Sequence, residues 1–86
     1  MLRIRVLASF DLAVEEATHE FAVSDIRRAA AFSLAVGAAF ERICENPGLG
    51  HPIVGGMSAH ALDGFAYAVI YEVTEREICF LYLAVI

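Results

Sequence analysis

Apolar and polar residues alternate in several parts of the chain with the period of a β-strand. Residues 2–6, LRIRV, place arginine between apolar side chains, and residues 65–73, FAYAVIYEV, repeat the period of two. Residues 78–86, ICFLYLAVI, are apolar at both alternating sets of positions. A strand that is apolar on both faces lies inside a sheet or is covered by another element. We therefore predict strands here and a further short one within residues 58–64, SAHALDG.

Between the first strand and the later ones, apolar residues recur every three or four positions, which predicts two helices. Ser9 is suited to cap the first helix, from about Phe10 to Phe21. Ser24 and Asp25 are suited to begin the second, which runs to about Cys44. The positions predicted to face the core are Leu12, Ala13, Ala17 and Phe21 in the first helix and Ile26, Ala29, Phe32 or Ser33, Val36, Phe40 and Ile43 in the second.

The order of these elements predicts the fold class. Only a short join, at about residues 22–25, separates the helices, which favours an antiparallel helical hairpin. We predict an α+β fold of order β-α-α-β-β-β, in which the helical hairpin packs on a small, mainly antiparallel sheet. A chain of 86 residues has room for one domain, spanning 1–86.

The loop at residues 45–56, ENPGLGHPIVGG, is the first candidate for chemistry because it holds four of the six glycines. A phosphate-binding loop requires a lysine followed by serine or threonine, and this stretch contains none of the three. The three histidines of the chain lack metal-ligand spacing from one another. The loop is therefore interpreted as a helix stop at Asn46 and Pro47 and a crossover, and no cofactor or metal is predicted.

Composition and charge narrow the classes of partner. The net charge is −5, and all six cations are arginine, which argues against binding of nucleic acid through its phosphates. The least charged segment, 29–40, has twelve residues, whereas a membrane-spanning helix needs about 20. We predict a cytoplasmic protein. Hydrophobic residues make up 59% of the chain, and we expect some of them to form a surface that a partner or a second copy covers. Cys44 and Cys79 are expected to be free thiols.

Two segments, AFERICENPGLGHPIVGG at 39–56 and GFAYAVIYEV at 64–73, carry a recognisable combination of motifs. They resemble the ParE/RelE superfamily, the toxins of bacterial toxin–antitoxin modules, and FDLAVEEATHEFA at 10–22 occupies the place of the family's first helix. The resemblance covers nearly the whole chain and implies the same helical hairpin on a sheet. The matching positions are Phe40, Ile43, Asn46, Pro47, Gly50, His51 and Pro52 at the helix end and Phe65, Tyr67, Ile70, Tyr71 and Val73 on the strand.

The sequence departs from the family at the positions that carry charge. Members carry basic residues on the strand after the loop and before the F-x-Y motif, where this chain has Ser58, Ala59, Asp63 and Gly64. Members also continue into a tail rich in histidine and arginine, whereas the sequence here ends at Ile86. RelE-like toxins cut messenger RNA on the ribosome with such groups, and ParE-like toxins inhibit DNA gyrase. The resemblance therefore implies a ParE-like toxin component that is non-enzymatic, weakened or inactive, and neutralised by an antitoxin.

Two alternatives remain open from the sequence. One is a RelE-like, ribosome-dependent mRNA endonuclease with His60 and Tyr67 as acid–base pair and Arg76 as a third candidate. The other is a small dimeric interaction module without a toxin role. A homodimer or a heterocomplex is predicted, because the last strand is apolar on both faces, and self-association is expected. The residues predicted to contact a partner are Phe65, Tyr67, Tyr71, Phe80 and Tyr82.

Overall fold

The computed structural model describes residues 2–86 and confirms the predicted α+β fold. Two helices pack on one face of a five-stranded sheet, and short 3₁₀ turns interrupt the crossover from the second helix to the sheet. The elements are β1 Arg3–Val6, α1 Ala8–Ser24, α2 Ile26–Glu45, a turn at Pro47–Leu49, β2 His51–Pro52, a turn at Val54–Gly56, β3 Met57–Ala61, β4 Tyr67–Val73 and β5 Glu77–Val85.

The sheet has the order β1-β5-β4-β3-β2. Strand β1 runs parallel to β5, and the other neighbours are antiparallel. The prediction that the last strand is interior is confirmed, since β5 lies between β1 and β4. The two-residue strand β2 was not predicted, because His51 and Pro52 carry no periodic pattern and are placed only by their pairing with Ala59 and Ser58.

The helical hairpin turns at a single residue, Asp25, so the join is shorter than predicted. The Asp25 backbone N–H donates to the Phe21 carbonyl at 2.8 Å and closes α1. Its carboxylate accepts from the Arg27 backbone N–H at 3.0 Å and caps α2. One extended residue thus ends one helix and begins the next, while Ser24 belongs to α1.

The prediction that Ser9 caps α1 is wrong. Helix α1 begins at Ala8 and has no side-chain cap, and the Ser9 hydroxyl donates to the Leu81 carbonyl at 2.6 Å. Leu81 is the extra residue of a β-bulge, because Ile70 pairs with Tyr82 while the next residue, Tyr71, pairs with Phe80. Ser9 therefore ties the start of α1 to an irregular point of β5.

The core lies between the hairpin and the sheet. In α2 the structure buries Phe32 rather than Ser33, whereas Ile26, in its first turn, is 71% exposed. Leu12 in α1 is 55% exposed, because the stripe through Phe10 and Ala13 leaves it turned away from the sheet. The largest fully buried side chains are Tyr71, Phe32, Phe80, Ile43, Ile78, Leu83 and Val69.

The crossover is held by a buried tyrosine on β4. The Tyr71 hydroxyl donates to the Pro47 carbonyl at 2.9 Å and accepts from the Gly50 N–H at 2.8 Å. Its side chain is fully buried, so both loop groups are satisfied inside the protein. Gly50 is required by space: a Cβ there would lie 2.6 Å from the hydroxyl oxygen of Tyr71. The glycine-rich loop is therefore packed structure.

We predict that Tyr71→Phe lowers the free energy of unfolding by about 1–2 kcal/mol, because the Pro47 and Gly50 groups lose their partner. Urea denaturation followed by far-UV circular dichroism measures the change. Tyr82→Phe is the matched control, since Tyr82 is 51% exposed, and should stay within about 0.5 kcal/mol of wild type. Equal midpoints for the two variants would contradict this role of the hydroxyl.

We further predict that Gly50→Ala costs more in the wild-type background than in the Tyr71→Phe background. The atom nearest to the new methyl group is the Tyr71 hydroxyl oxygen, and Tyr71→Phe removes it. Two contacts near 3 Å remain, to the tyrosine ring and to the Ala59 carbonyl, so the relief is partial. A double-mutant cycle from urea midpoints measures the coupling, and additive losses would refute the close contact.

Candidate functional site

An open groove runs between α1 and α2 at the end of the hairpin away from Asp25. The volume of the groove is about 460 Å³. Its apolar lining consists of Val6, Phe10, Val14, Val36 and Phe40. Apolar grooves of this kind accept the side chains of a helix or an extended peptide from a partner.

The rim of the groove is acidic. Asp11 and Glu15 line it on α1 and Glu41 lines it on α2, and all three are exposed. Gly37 lies between them on α2, and a Cβ there would meet nothing within 4 Å. The groove is thus open above Gly37 and complementary to a segment that combines apolar and basic side chains.

Stacked aromatic rings form the floor. The Phe40 ring stacks on the buried Phe80 ring with centroids 4.4 Å apart, and Phe10 packs on the same ring at 5.7 Å. Phe40, predicted to be a core residue, is partly buried because one side lines the groove. The floor is therefore part of the core and is fixed before any partner binds.

The groove opens onto the free edge of β1 at Val6. Strand β1 has the end position in the sheet. The backbone N–H groups of Arg3 and Leu7 donate to β5-side carbonyls of Arg76 and Phe80. Because backbone direction alternates along a strand, Ile4 and Val6 turn their hydrogen-bonding groups to the open edge. Such an edge can pair with an added strand.

The three candidate catalytic residues do not form one site. Tyr67 begins β4, whereas Arg76 lies in the turn after that strand, about 20 Å farther along the sheet at the usual rise per residue. His60 pairs with the buried Val69, so it faces the helices. Its Nε2 is buried and has no hydrogen-bond partner within residues 2–86. Tyr67 lies two residues from Val69 on β4, so the predicted acid–base pair shares one face of the sheet, which the helices cover, and Arg76 is remote from both.

Two of the residues predicted to contact a partner are in the core. Tyr71 and Phe80 are fully buried, so neither offers surface to another molecule in this structure. The alternating apolar pattern predicted their strands correctly. It did not predict that both side chains are buried, because the helices cover that face of the sheet. Tyr82, by contrast, has half of its surface exposed.

The other two, Phe65 and Tyr67, belong to an aromatic cluster at the closed end of the hairpin. Their rings pack edge-on against Phe21 and Phe32, with centroids 5.2–6.2 Å apart. The Arg28 guanidinium lies 4.1 Å from the Phe65 ring centroid and donates to the Gly64 carbonyl at 3.0 Å. The rings of Phe65 and Tyr67 therefore already make packing contacts within the chain.

The arginines do not gather into a basic surface. Arg42 pairs with Asp63 at 3.1 Å, and Arg5 lies 3.6 Å from Glu77. Arg76 shares a surface pocket with Arg3 and two glutamates. A phosphate-binding face would need cations free of such neighbours.

Other chemistry finds little support in the described part of the chain. Both cysteines are free thiols, as predicted. Burial raises the pKa of the Cys44 thiol, and the Glu45 carboxylate raises it further, so this group is a poor nucleophile at neutral pH. Residues 2–86 contain no cluster of metal-ligating side chains. Neither helix described here is long and apolar enough to cross a membrane.

Sequence reasoning missed the groove. None of the residues predicted to contact a partner lies on α1, where Val14 and Glu15 line the groove. The available signal was the spacing of Asp11 and Glu15, one turn apart, beside Phe10 and Val14. This spacing indicates a groove only when α2 is placed beside α1, because both helices line it.

Comparisons with known proteins support the fold. No family model matches the chain, and no curated protein matches its sequence. A chain of the solved structure described as the chromosomal ParDE TA system from P. aeruginosa superposes with a TM-score of 0.87. The match covers 100% of this chain and 97% of that chain at 16% sequence identity. The fold implied by the sequence resemblance is thereby confirmed over the full length.

We predict that His60→Leu leaves the protein as stable as wild type or raises the free energy of unfolding by up to about 1 kcal/mol. The substitution removes a buried nitrogen that lacks a partner. Urea denaturation measures it, and Val69→Ala, at the paired position, is the sensitivity control with an expected loss of about 2 kcal/mol. A marked loss with His60→Leu would reveal a polar contact of His60.

Proposed function

We propose that this chain is a ParE-like toxin component of a toxin–antitoxin module that acts in the cytoplasm as a single domain. The observation that carries the proposal is the match to a chain of the ParDE TA system, which extends over both chains almost completely. The helix-end and strand motifs around Pro47 and Tyr71 add support, because the structure ties them together through the tyrosine hydroxyl.

The antitoxin is proposed to occupy the groove between α1 and α2 and the free edge of β1. A helix laid in the groove and followed by an extended strand would use both features, which meet at Val6. The acidic rim of Asp11, Glu15 and Glu41 selects basic side chains on that segment. The net charge of −5 favours the same choice through long-range attraction.

We propose that the protein binds its target and catalyses no reaction. His60 and Tyr67 lie on the face that the helices cover, Arg76 is remote from both, and residues 2–86 gather no basic face, all of which oppose ribonuclease chemistry. DNA gyrase is then the favoured target over the ribosome. Asp63, at a position that is basic in relatives, is paired with Arg42, and we propose that toxicity is weakened as a result.

The test is induced expression in a bacterial host, with and without the product of the adjacent open reading frame. We expect slowed growth that this product relieves, a stable complex of the two proteins, and no cleavage of mRNA on translating ribosomes. Cleavage by the wild type that His60→Ala abolishes would instead establish the endonuclease function. Failure of the adjacent product to bind would contradict the proposal.

We predict that Gly37→Leu weakens binding of the antitoxin at least about tenfold, or ~1.4 kcal/mol, by filling the groove. The variant should fold normally, because the site is open and leucine is the better helix former. His19→Leu adds the same side chain on the exposed outer face of α1 and is the matched control. Titration calorimetry distinguishes them, and equal affinities would place the antitoxin elsewhere.

A further inference from the structure

The outer face of α2 is not covered by any of residues 2–86. Its opposite side is buried on the sheet through Phe32, Val36 and Ile43. Between Arg28 and Glu41 the helix has no charged residue, although much of this stretch is exposed. Leu34, at the centre of the exposed side, is 76% exposed. The high helix propensity of leucine does not by itself explain its presence at this position, because solvent-facing positions of a helix are ordinarily polar.

Residues along this outer side, exposed except for the half-buried Ala38, follow the spacing of a helix–helix seam. Arg27, Ala31, Leu34, Ala38 and Glu41 are separated by four, three, four and three positions. This is the seven-residue repeat by which one helix packs along another. The two alanines beside Leu34 have the smallest side chains that a helix tolerates well, so a second backbone can approach closely.

The charges at the ends of this stripe are complementary to those of a second copy. Arg27 and Glu41 each lie seven residues from Leu34, in opposite directions. A two-fold axis at Leu34 would place Arg27 of each copy opposite Glu41 of the other. The Arg27 side chain is 93% exposed and touches Asp25 only at 3.9 Å. Glu41 forms no ion pair within residues 2–86.

We propose that a second copy of this chain docks antiparallel along α2, with Leu34 at the two-fold axis and two Arg27–Glu41 ion pairs at the ends. Isologous contacts of this kind are the commonest route to a homodimer. The interface differs from the surface predicted from the last strand, because β5 lies inside the sheet. It does not depend on the proposed toxin role.

The surroundings of α2 leave room for the second helix. A groove of about 370 Å³ lies beside the stripe and is lined by Ala31, Ala35, Ala38 and Phe65. The contact of one helix from each copy is at the small end of stable interfaces, so association should be weak and dependent on concentration. The ion pairs are exposed, so it should also weaken with salt.

The experiment measures mass against concentration for the full chain at low salt, by light scattering or sedimentation equilibrium. We expect the mass to approach twice 9.3 kDa and Leu34→Glu to return it to the monomer value. Arg27→Glu and Glu41→Arg should each weaken association about tenfold, because two attractive pairs become repulsive. The double variant Arg27→Glu/Glu41→Arg should restore the wild-type constant.

Leu12→Glu, at an exposed position on α1, is the matched control and should leave the dimer unchanged. Far-UV spectra and melting temperatures confirm that each variant is folded. A wild type that stays monomeric at all concentrations overturns the proposal. A dimer that persists in Leu34→Glu and dissociates in Tyr82→Glu also overturns it, because the interface would then lie on the sheet.

Discussion

The position of the crossover depends on one buried hydroxyl. Tyr71 stands in the middle of the sheet, and its hydroxyl reaches the backbone of the segment that follows α2 at Pro47 and Gly50. Because the ring is fixed by the core, the loop must pass at one distance from β4. That distance fixes where β2 and β3 begin. A loop that is rich in glycine thus behaves as part of the core, and its glycine at 50 is needed for space.

The hairpin that covers this sheet is closed at one end and open at the other. Asp25 holds the helices together, and the rings of Phe21, Phe32 and Phe65 fill the space beneath that end. Toward the other end the helices are separated above Phe40, and nothing in the described chain fills the gap. The groove is open there because Gly37, on the α2 side, contributes no side chain to it.

Local periodicity predicted the helices, three of the strands after them and the interior place of β5, because each signal lies within one element. The failures lie between elements. Ser9 has the composition of a helix cap, yet its partner is a carbonyl at a bulge 72 residues away. Tyr71 and Tyr82 look alike in a strand pattern, and only the placement of α2 buries one and exposes the other. The groove depends on two helices at once, so its acidic rim could not be distinguished from an ordinary solvated face.

Charge decides between the readings of function more firmly than the fold does. The fold alone is compatible with cleavage of RNA or with binding of a protein target, since site chemistry and not architecture determines activity. Arg5, Arg28 and Arg42 contact a nearby carboxylate, a backbone carbonyl or an aromatic ring, and the groove between α1 and α2 has acids on its rim. An RNA phosphate approaching that groove would be repelled, whereas a basic peptide would be attracted. The acidic rim therefore argues against an RNA substrate at this groove and favours the basic partner segment proposed above.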